Sequence, residues 1–269
     1  MDTTAALLPQ LVKLIKAAGE AVMKVYDTSF SVEYKEDNSP LTLADKLSHE
    51  IICTTLRKHS PFPVLSEEMA EAGYEERKKW DTFWLVDPLD GTKEFVKRNG
   101  EFTVNIALVK HTMPVMGLIY LPVHKTLYYA LKNRGAYRIL NMNTITLPEK
   151  EEDVFKISEK LPVKTAVHKT FTIIASRSHT SPETDAFIAK EAEEHGEVDI
   201  TSVGSSIKFC RVAEGTADAY PRFAPTMEWD TAAGQIIAEE AGKKVTLADG
   251  RTPLSYNKEI LVNPHFIVI

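Results

Sequence analysis

Apolar residues at Leu7, Leu8, Leu11, Leu14, Ile15, Ala18, Val22 and Val25 recur every three or four positions, which places them on one face of a long first helix. After a polar loop ending at Pro40, Leu43, Leu47, Ile51, Ile52 and Leu56 repeat that spacing until Pro61 and Pro63 stop it. A second helix is predicted there, with Asp45 in its first turn. The period then changes. Val64-Leu65 is a short apolar run leading into Ser66-Glu67-Glu68, and Phe83 to Val86 reads as a second buried strand. Thr103 to Val109, Val115 to Leu121, Leu127 to Leu131 and Ala136 to Leu140 follow with short turns, as in an antiparallel meander. The first half is therefore predicted as helices packed on an antiparallel sheet.

From about Leu147 to Lys169 the chain is rich in Lys, Glu and Pro without sustained period, which suits a connection between two units. Beyond it strands and helices alternate: Phe171 to Ala175, a helix after Pro182, Val198 to Val203, a helix from Ser205, Ala217 to Phe223, a helix from about Glu228, and Lys244 to Leu247. That alternation predicts a smaller α/β layer. The expected division is an N-terminal α+β domain over 1–160 and a C-terminal α/β domain over 161–269.

Composition narrows the classes. A chain of 269 residues, 43% of them hydrophobic, can bury a large core and sits near a prior of two domains. No apolar run approaches the roughly 20 residues of a membrane helix, and the start MDTTAALLPQ lacks a secretory pattern, so a cytoplasmic location is expected. Cys53 and Cys210 are far apart without metal-type spacing and read as buried thiols. A net charge of −6 argues against a nucleic-acid polymer as partner, though not against a small anion met by local basic groups.

The candidate chemistry starts at Trp84-Leu85-Val86-Asp87-Pro88-Leu89-Asp90-Gly91-Thr92, WLVDPLDGT. Pro88 cannot donate to a sheet ladder, so the strand is predicted to end there. Gly91 admits a turn, and Asp90 or Thr92 could cap a helix through Phe95 and Val96. Taken alone, the stretch reads equally well as a capped turn or a functional site. Hard oxygen ligands gathered at one point are what Mg²⁺ requires, and Asp87, Asp90 and Glu67 could supply them, with Glu68, Asp45 and Asp230 as further candidates. Singly, Glu67 and Glu68 read as solvated loop acids, and Asp45 and Asp230 as acids favouring their helix dipoles.

Together, an early Asp, then EE, then DPLDGT, then WD before a helix resembles the lithium-sensitive, magnesium-dependent phosphomonoesterase superfamily of inositol monophosphatases and fructose-1,6-bisphosphatases. The resemblance spans nearly the whole chain and implies a layered αβαβα sandwich, two or three Mg²⁺ ions and lithium sensitivity. It implies that Glu67, Asp87, Asp90 and Asp230 are metal ligands with the Leu89 carbonyl, and that Thr92 paired with Asp45 orients the nucleophilic water. Where the family pattern often closes with a double glycine, this chain has Ala241-Gly242, a departure that touches helix termination.

DPLDGTKEFVKRNGEFTVNIALV, ASRSH, GSSIKFCRVAEGTADAYPRF and WDTAAG narrow the likeness to the CysQ branch, the 3′(2′),5′-bisphosphate nucleotidases. That likeness implies adenosine 3′,5′-bisphosphate as substrate, with its phosphosulfate analogue a further option. It implies that Ser205, Lys208 and Arg222, with His179, hold the nucleotide beside Leu89, Asp90, Gly91, Thr92 and Asp230. A substrate with two phosphates needs cations beyond the metals, and Arg222 could bind the non-reacting phosphate bidentately. Ser205 is predicted to begin a helix, whose N–H groups suit an anion. Lys208 and Arg222 also read as surface charges, His179 as a loop histidine, and the run Lys93, Lys97, Arg98 as a solvated helix face. The alternatives are an inositol monophosphatase-like enzyme acting on a sugar or polyol phosphate and, from another class, a metal-dependent nucleotide sensor without turnover. The sequence leaves the oligomeric state open, a monomer included.

Overall fold

The computed structural model describes residues 5–35, 40–69, 72–163, 170–175 and 181–269. Helix α1 (Leu8–Tyr26) follows the apolar face read from the sequence, and Leu8, Leu11, Val12, Ile15, Ala18 and Val22 are all buried. The polar segment after it is not a plain loop. It forms a hairpin of β1 (Val32–Tyr34) and β2 (Pro40–Thr42) that leads directly into α2 (Leu43–His59). Thr42 caps α2 and Asp45, its third residue, reaches back to the Thr42 backbone N–H, closing a capping box.

The main sheet is built from β3 (Val64–Ser66), β4 (Thr82–Asp90), β5 (Thr103–Lys110), β6 (Met113–Leu121), β7 (Thr126–Leu131), β8 (Gly135–Ile139) and β9 (Glu159–Lys160), which neighbour one another in that order. Strands β3 and β4 are parallel and the other pairs antiparallel. Short helices α3 (Tyr74–Arg77), α4 (Thr92–Val96) and α5 (Glu151–Lys156) lie in its connections. The segment read from sequence as a connection thus contributes a helix and the last strand of the first sheet.

Both faces of this sheet are covered, which is why its strands read as continuous apolar runs rather than as alternations. Trp84, Val86, Val104, Ile106 and Leu108 pack toward α1 and α2, while Phe83, Leu85, Ala107, Val109 and Ile119 pack toward helices of the second half. Those helices are α7 (Ile207–Glu214) and α8 (Glu228–Glu240). Their other side is covered by a sheet of β12 (Tyr220–Arg222), β14 (Phe266–Val268) and β13 (Val245–Leu247). A parallel pair, β10 (Phe171–Ile174) and β11 (Val198–Thr201), joins β12 through the Ile173–Ala219 bridge, and α6 (Pro182–His195) packs on it through Phe187. The layers alternate α/β/α/β/α. Strand β14 (Phe266–Val268) is not among the strands read from the sequence. Among the described residues, no helix is long and apolar enough to cross a membrane. Cys53 and Cys210 are buried free thiols.

The approach of α8 to the sheet fixes where Asp230 can sit, and Gly117 in β6 permits it. A Cβ at that position would lie 2.6 Å from Ile236 Cγ2, 2.7 Å from the Ala233 carbonyl oxygen and 2.9 Å from Ala233 Cα. Two of those atoms are backbone, which cannot rotate aside. Gly117→Ala is therefore expected to cost about 1–3 kcal/mol by overpacking, measured by urea unfolding. An unchanged midpoint would show that α8 is free to move off the sheet.

Candidate active site

Two strand ends bring the first carboxylates together. The parallel register pairs Ser66 with Val86, so the next residues, Glu67 and Asp87, stand side by side, and the Glu67 N–H donates to the Val86 carbonyl at 3.2 Å. Strand β4 does not stop at Pro88, as the sequence reading has it. It runs on to Asp90 with a register shift between Asp87 and Asp90. Proline is tolerated because β3 has already ended at Ser66, so no ladder bond is asked of its nitrogen, and its carbonyl accepts from Ser48 Oγ at 2.7 Å. In the turn, the Leu89 N–H donates to Asp87 Oδ1 at 3.0 Å.

Neither Asp90 nor Thr92 caps the following helix. Gly91 is the N-cap at φ +89°, and a Cβ there would approach the Glu101 carbonyl to 3.0 Å and Ser205 Cβ to 3.2 Å. The site turn and the Ser205 loop touch at this point. Thr92, the first residue of α4, instead donates its hydroxyl to Asp45 Oδ1 at 3.1 Å, with the Leu89 carbonyl a second acceptor at 3.2 Å. The other oxygen of Asp45 accepts from the Thr42 N–H at 2.7 Å and from the Thr42 hydroxyl at 2.6 Å. Asp45 is only 1% exposed, and burial raises its pKa despite these donors.

Asp90 is held from the second half of the chain. Its Oδ2 accepts from the Ser206 N–H at 2.6 Å and the Ser206 hydroxyl at 2.5 Å, with Thr103 Oγ1 and Asn105 Nδ2 each at 3.4 Å. Asn105 Nδ2 also donates to Ser206 Oγ at 2.9 Å, and the Asp230 carbonyl lies 2.8 Å from that hydroxyl. Ser206, Asn105 and Thr103 escape the sequence reading. Their signal is the polar pair Thr103 and Asn105 at alternate positions of an otherwise apolar strand, both essentially unexposed. Asp230, the third residue of α8, accepts the Met227 N–H on Oδ2 at 2.8 Å.

The electrostatics follow from crowding acids in a poorly solvated place. Burial, then the charges of Glu67, Asp90 and Asp230, push the Asp87 carboxyl well above its ordinary range. Burial and Asp90 do the same to Asp230, and burial raises Glu67 against the pull of Lys35. Lys35 pairs with Glu67 at 2.9 Å and with Glu68. Burial opposes its charge, but the two ion pairs outweigh burial and raise its pKa. The donor set is all oxygen: the carboxylates of Glu67, Asp87, Asp90 and Asp230 and the Leu89 carbonyl. Such a set fits a hard divalent cation, whose charge would relieve the repulsion. The acids stand further apart than the compact but largely exposed trio of Glu191, Glu194 and His195, whose donor atoms lie within 4.8 Å of one another.

Asp90 and Asp230 line a cavity of about 540 Å³ that Lys208, Arg222 and Ser205 also line. The expected helix start at Ser205 is not found. Ser205 has φ +50° and α7 begins at Ile207, so it contributes its side chain and the turn rather than a helix terminus. The Lys208 ammonium donates to the Ser205 carbonyl at 3.0 Å and faces the Tyr220 ring at 5.6 Å. Burial and Arg222 bring its pKa down to about 8, against the pull of Asp90. Arg222 donates to the Pro225 carbonyl at 3.1 Å. Among the described residues, the Ser205 hydroxyl and Arg222 Nε are buried without a hydrogen-bond partner, and both residues line the cavity. His179 lies outside the described residues.

With this geometry in place, three comparisons bear on the chain. Residues 4–266 match the Inositol monophosphatase family. The chain is 45% identical over 266 residues to the 3′(2′),5′-bisphosphate nucleotidase CysQ of Salmonella typhimurium, covering 97% of this chain and 99% of the relative. It is 44% identical over the same span to CysQ of Escherichia coli K12. The crystal structure of CysQ from Bacteroides thetaiotaomicron superposes with a TM-score of 0.88 at 49% identity, covering 100% of this chain and 97% of that one. An IMPase of Thermotoga maritima, 23% identical, shares the fold with a TM-score of 0.72. This chain belongs to the inositol monophosphatase family, whose members are metal-dependent phosphatases.

The raised carboxyls make stability depend on pH in a definite sense. Above the ordinary aspartate value of 3.8, the folded metal-free protein keeps protons on Asp87 and Asp230 that the unfolded chain has released, so this cluster's contribution falls as pH rises. In EDTA, Asp87→Asn is expected to raise the urea midpoint at neutral pH and to flatten its decline above about pH 4. An identical pH slope in wild type and variant would contradict the buried repulsion.

Proposed function

We propose that the chain is a Mg²⁺-dependent 3′(2′),5′-bisphosphate nucleotidase that hydrolyses the 3′-phosphate of adenosine 3′,5′-bisphosphate to AMP and phosphate. The observation that carries this reading is one cavity lined both by Asp90 and Asp230 and by Lys208 and Arg222. Its support is the full-length likeness to proteins named 3′(2′),5′-bisphosphate nucleotidase. In this reading residues 1–160 form the domain with most of the metal site and 161–269 the domain with the nucleotide contacts. The two free thiols accord with work in the reducing cytoplasm.

Glu67, Asp87, Asp90 and Asp230, with the Leu89 carbonyl, hold two or three ions. When bound, Mg²⁺ supplies positive charge to the phosphoryl oxygens and lowers the pKa of water. Thr92 spends its proton on Asp45, so its oxygen lone pairs face outward to accept a hydrogen bond from the attacking water. Asp45, its carboxyl raised by burial, is the proton acceptor at the end of that chain. Ser205, Lys208 and Arg222, with His179, hold the nucleotide, and the Ser205 hydroxyl and Arg222 Nε are donors without a hydrogen-bond partner among the described residues. Attack is direct and in line, so no residue is phosphorylated.

Side-by-side assays with adenosine 3′,5′-bisphosphate, 5′-AMP, inositol 1-phosphate and fructose 1,6-bisphosphate decide the specificity. The bisphosphate nucleotide is expected to be preferred, and preference for inositol 1-phosphate would make the chain a polyol phosphatase. Thr92→Val is expected to lower kcat by about 10²-fold or more with KM little changed, because it removes the hydroxyl and not a metal ligand. Near-normal turnover would remove Thr92 from the proton path.

A further inference from the structure

The basic run after the site turn is divided by the fold. Lys93 and Lys97 both line the cavity that holds Asp90 and Asp230, whereas Arg98 turns away. Arg98 donates to the Tyr26 carbonyl at 2.6 Å and to the Thr28 carbonyl, and its guanidinium lies 5.1 Å from the Phe30 ring centre. This separation is not what a uniformly solvated helix face would show. Lys93 and Lys97 are four residues apart on α4 and its C-cap, so they lie on one side of it. Among the described residues neither forms an ion pair within 4.0 Å, although Glu94 and Glu101 line the same cavity. Glu101 is otherwise occupied, accepting the Gly204 N–H on Oε2 at 2.9 Å.

The cavity therefore has cations in two walls. Lys208 and Arg222 belong to the wall formed by residues 202–231, and Lys93 and Lys97 to the wall formed by residues 90–101. Lys208 is the buried one, 8% exposed and committed to the Ser205 carbonyl, while Lys93 and Lys97 are exposed. Helix α4 starts at Thr92, two residues after Asp90, and carries Lys97 about 6 Å further along its axis than Lys93. A phosphate bound beside Asp90 and Asp230 thus shares its cavity with a second pair of cations, the exposed ammonium groups of Lys93 and Lys97.

We propose that Lys93 and Lys97 join Arg222, which lines the same cavity, in recognising the 5′-phosphate of the nucleoside 3′,5′-bisphosphate, which distinguishes that substrate from a nucleoside 3′-monophosphate. The inference rests on the nucleotidase reading above. Two flexible ammonium groups suit a phosphate that must leave with the product, since they meet it as point charges without the fixed geometry of a guanidinium fork. Because α4 also carries Thr92, the same short helix would register the distal phosphate and the water-orienting hydroxyl.

The test compares adenosine 3′,5′-bisphosphate with adenosine 3′-monophosphate in wild type, Lys93→Ala/Lys97→Ala, Lys93→Arg/Lys97→Arg and Arg98→Ala. The ratio of the two kcat/KM values is the readout, so a general loss of folded enzyme cancels. The alanine pair is expected to lower the wild-type preference for the bisphosphate by at least about 10-fold, mostly through KM. The arginine pair should restore most of it, and Arg98→Ala should leave the ratio at the wild-type value. If wild type prefers the bisphosphate and the alanine pair keeps that preference, the lysine site is overturned while the nucleotidase reading stands. If wild type turns over neither nucleotide, the nucleotidase reading fails and the lysine site with it.

Discussion

Like charges crowded at the end of two strands are the constraint around which the rest of this molecule is arranged. Burial, and then the charges of acidic neighbours, Asp90 among them, raise the cost of ionising Asp87, Asp230 and Glu67. A flexible surface would let such acids drift apart into water. Here they cannot, because β4 lies between β3 and β5 in a sheet covered on both faces and α8 is seated against β6 at Gly117. Packing energy spread over two large cores holds a local arrangement that is unfavourable on its own.

The holding is done with the same atoms that create the problem. Each of the four aspartates gives one carboxylate oxygen to structure: Asp45 to the Thr42 cap, Asp87 to the Leu89 N–H, Asp90 to Ser206, and Asp230 to the Met227 N–H. The second oxygen is then aimed rather than free to rotate. In Asp45 it receives Thr92. This arrangement links fold and chemistry, since the two helix-starting aspartates are capping residues and site residues at once. It also joins the halves of the chain, because Ser206, one residue beyond the cavity-lining Ser205, bonds an acid from β4.

Much of this was legible in the sequence. The apolar periods locate α1, α2 and the strands of the main sheet other than β9 within a few residues, and the spaced acids with DPLDGT identify the candidate site because they stand at element ends. The hairpin Val32–Tyr34 with Pro40–Thr42 was not legible, being short and polar, nor was β14. Pro88 misled because its usual meaning assumes a neighbour strand, and β3 ends before it. Ser205 misled because a left-handed residue before a helix has no signature when it is not glycine. Ser206, Asn105 and Thr103 are ordinary residues in sequence, and the network they form around Asp90 exists only once the 116 positions between Ser206 and Asp90, and the 101 between Asn105 and Ser206, have been closed by folding. The division of Lys93 and Lys97 from Arg98 is likewise a matter of which way a short helix turns.

On this reading the carboxylate cluster is a divalent-cation site. Crystals grown with Mn²⁺ in place of Mg²⁺, measured at the manganese absorption edge, test it without any assay of turnover. Anomalous peaks are expected among Glu67, Asp87, Asp90 and Asp230, next to the Leu89 carbonyl, and they should vanish in Asp90→Asn or lose one member. Peaks confined to other acids, such as the exposed group around Glu194, with none at the cluster, would contradict the account.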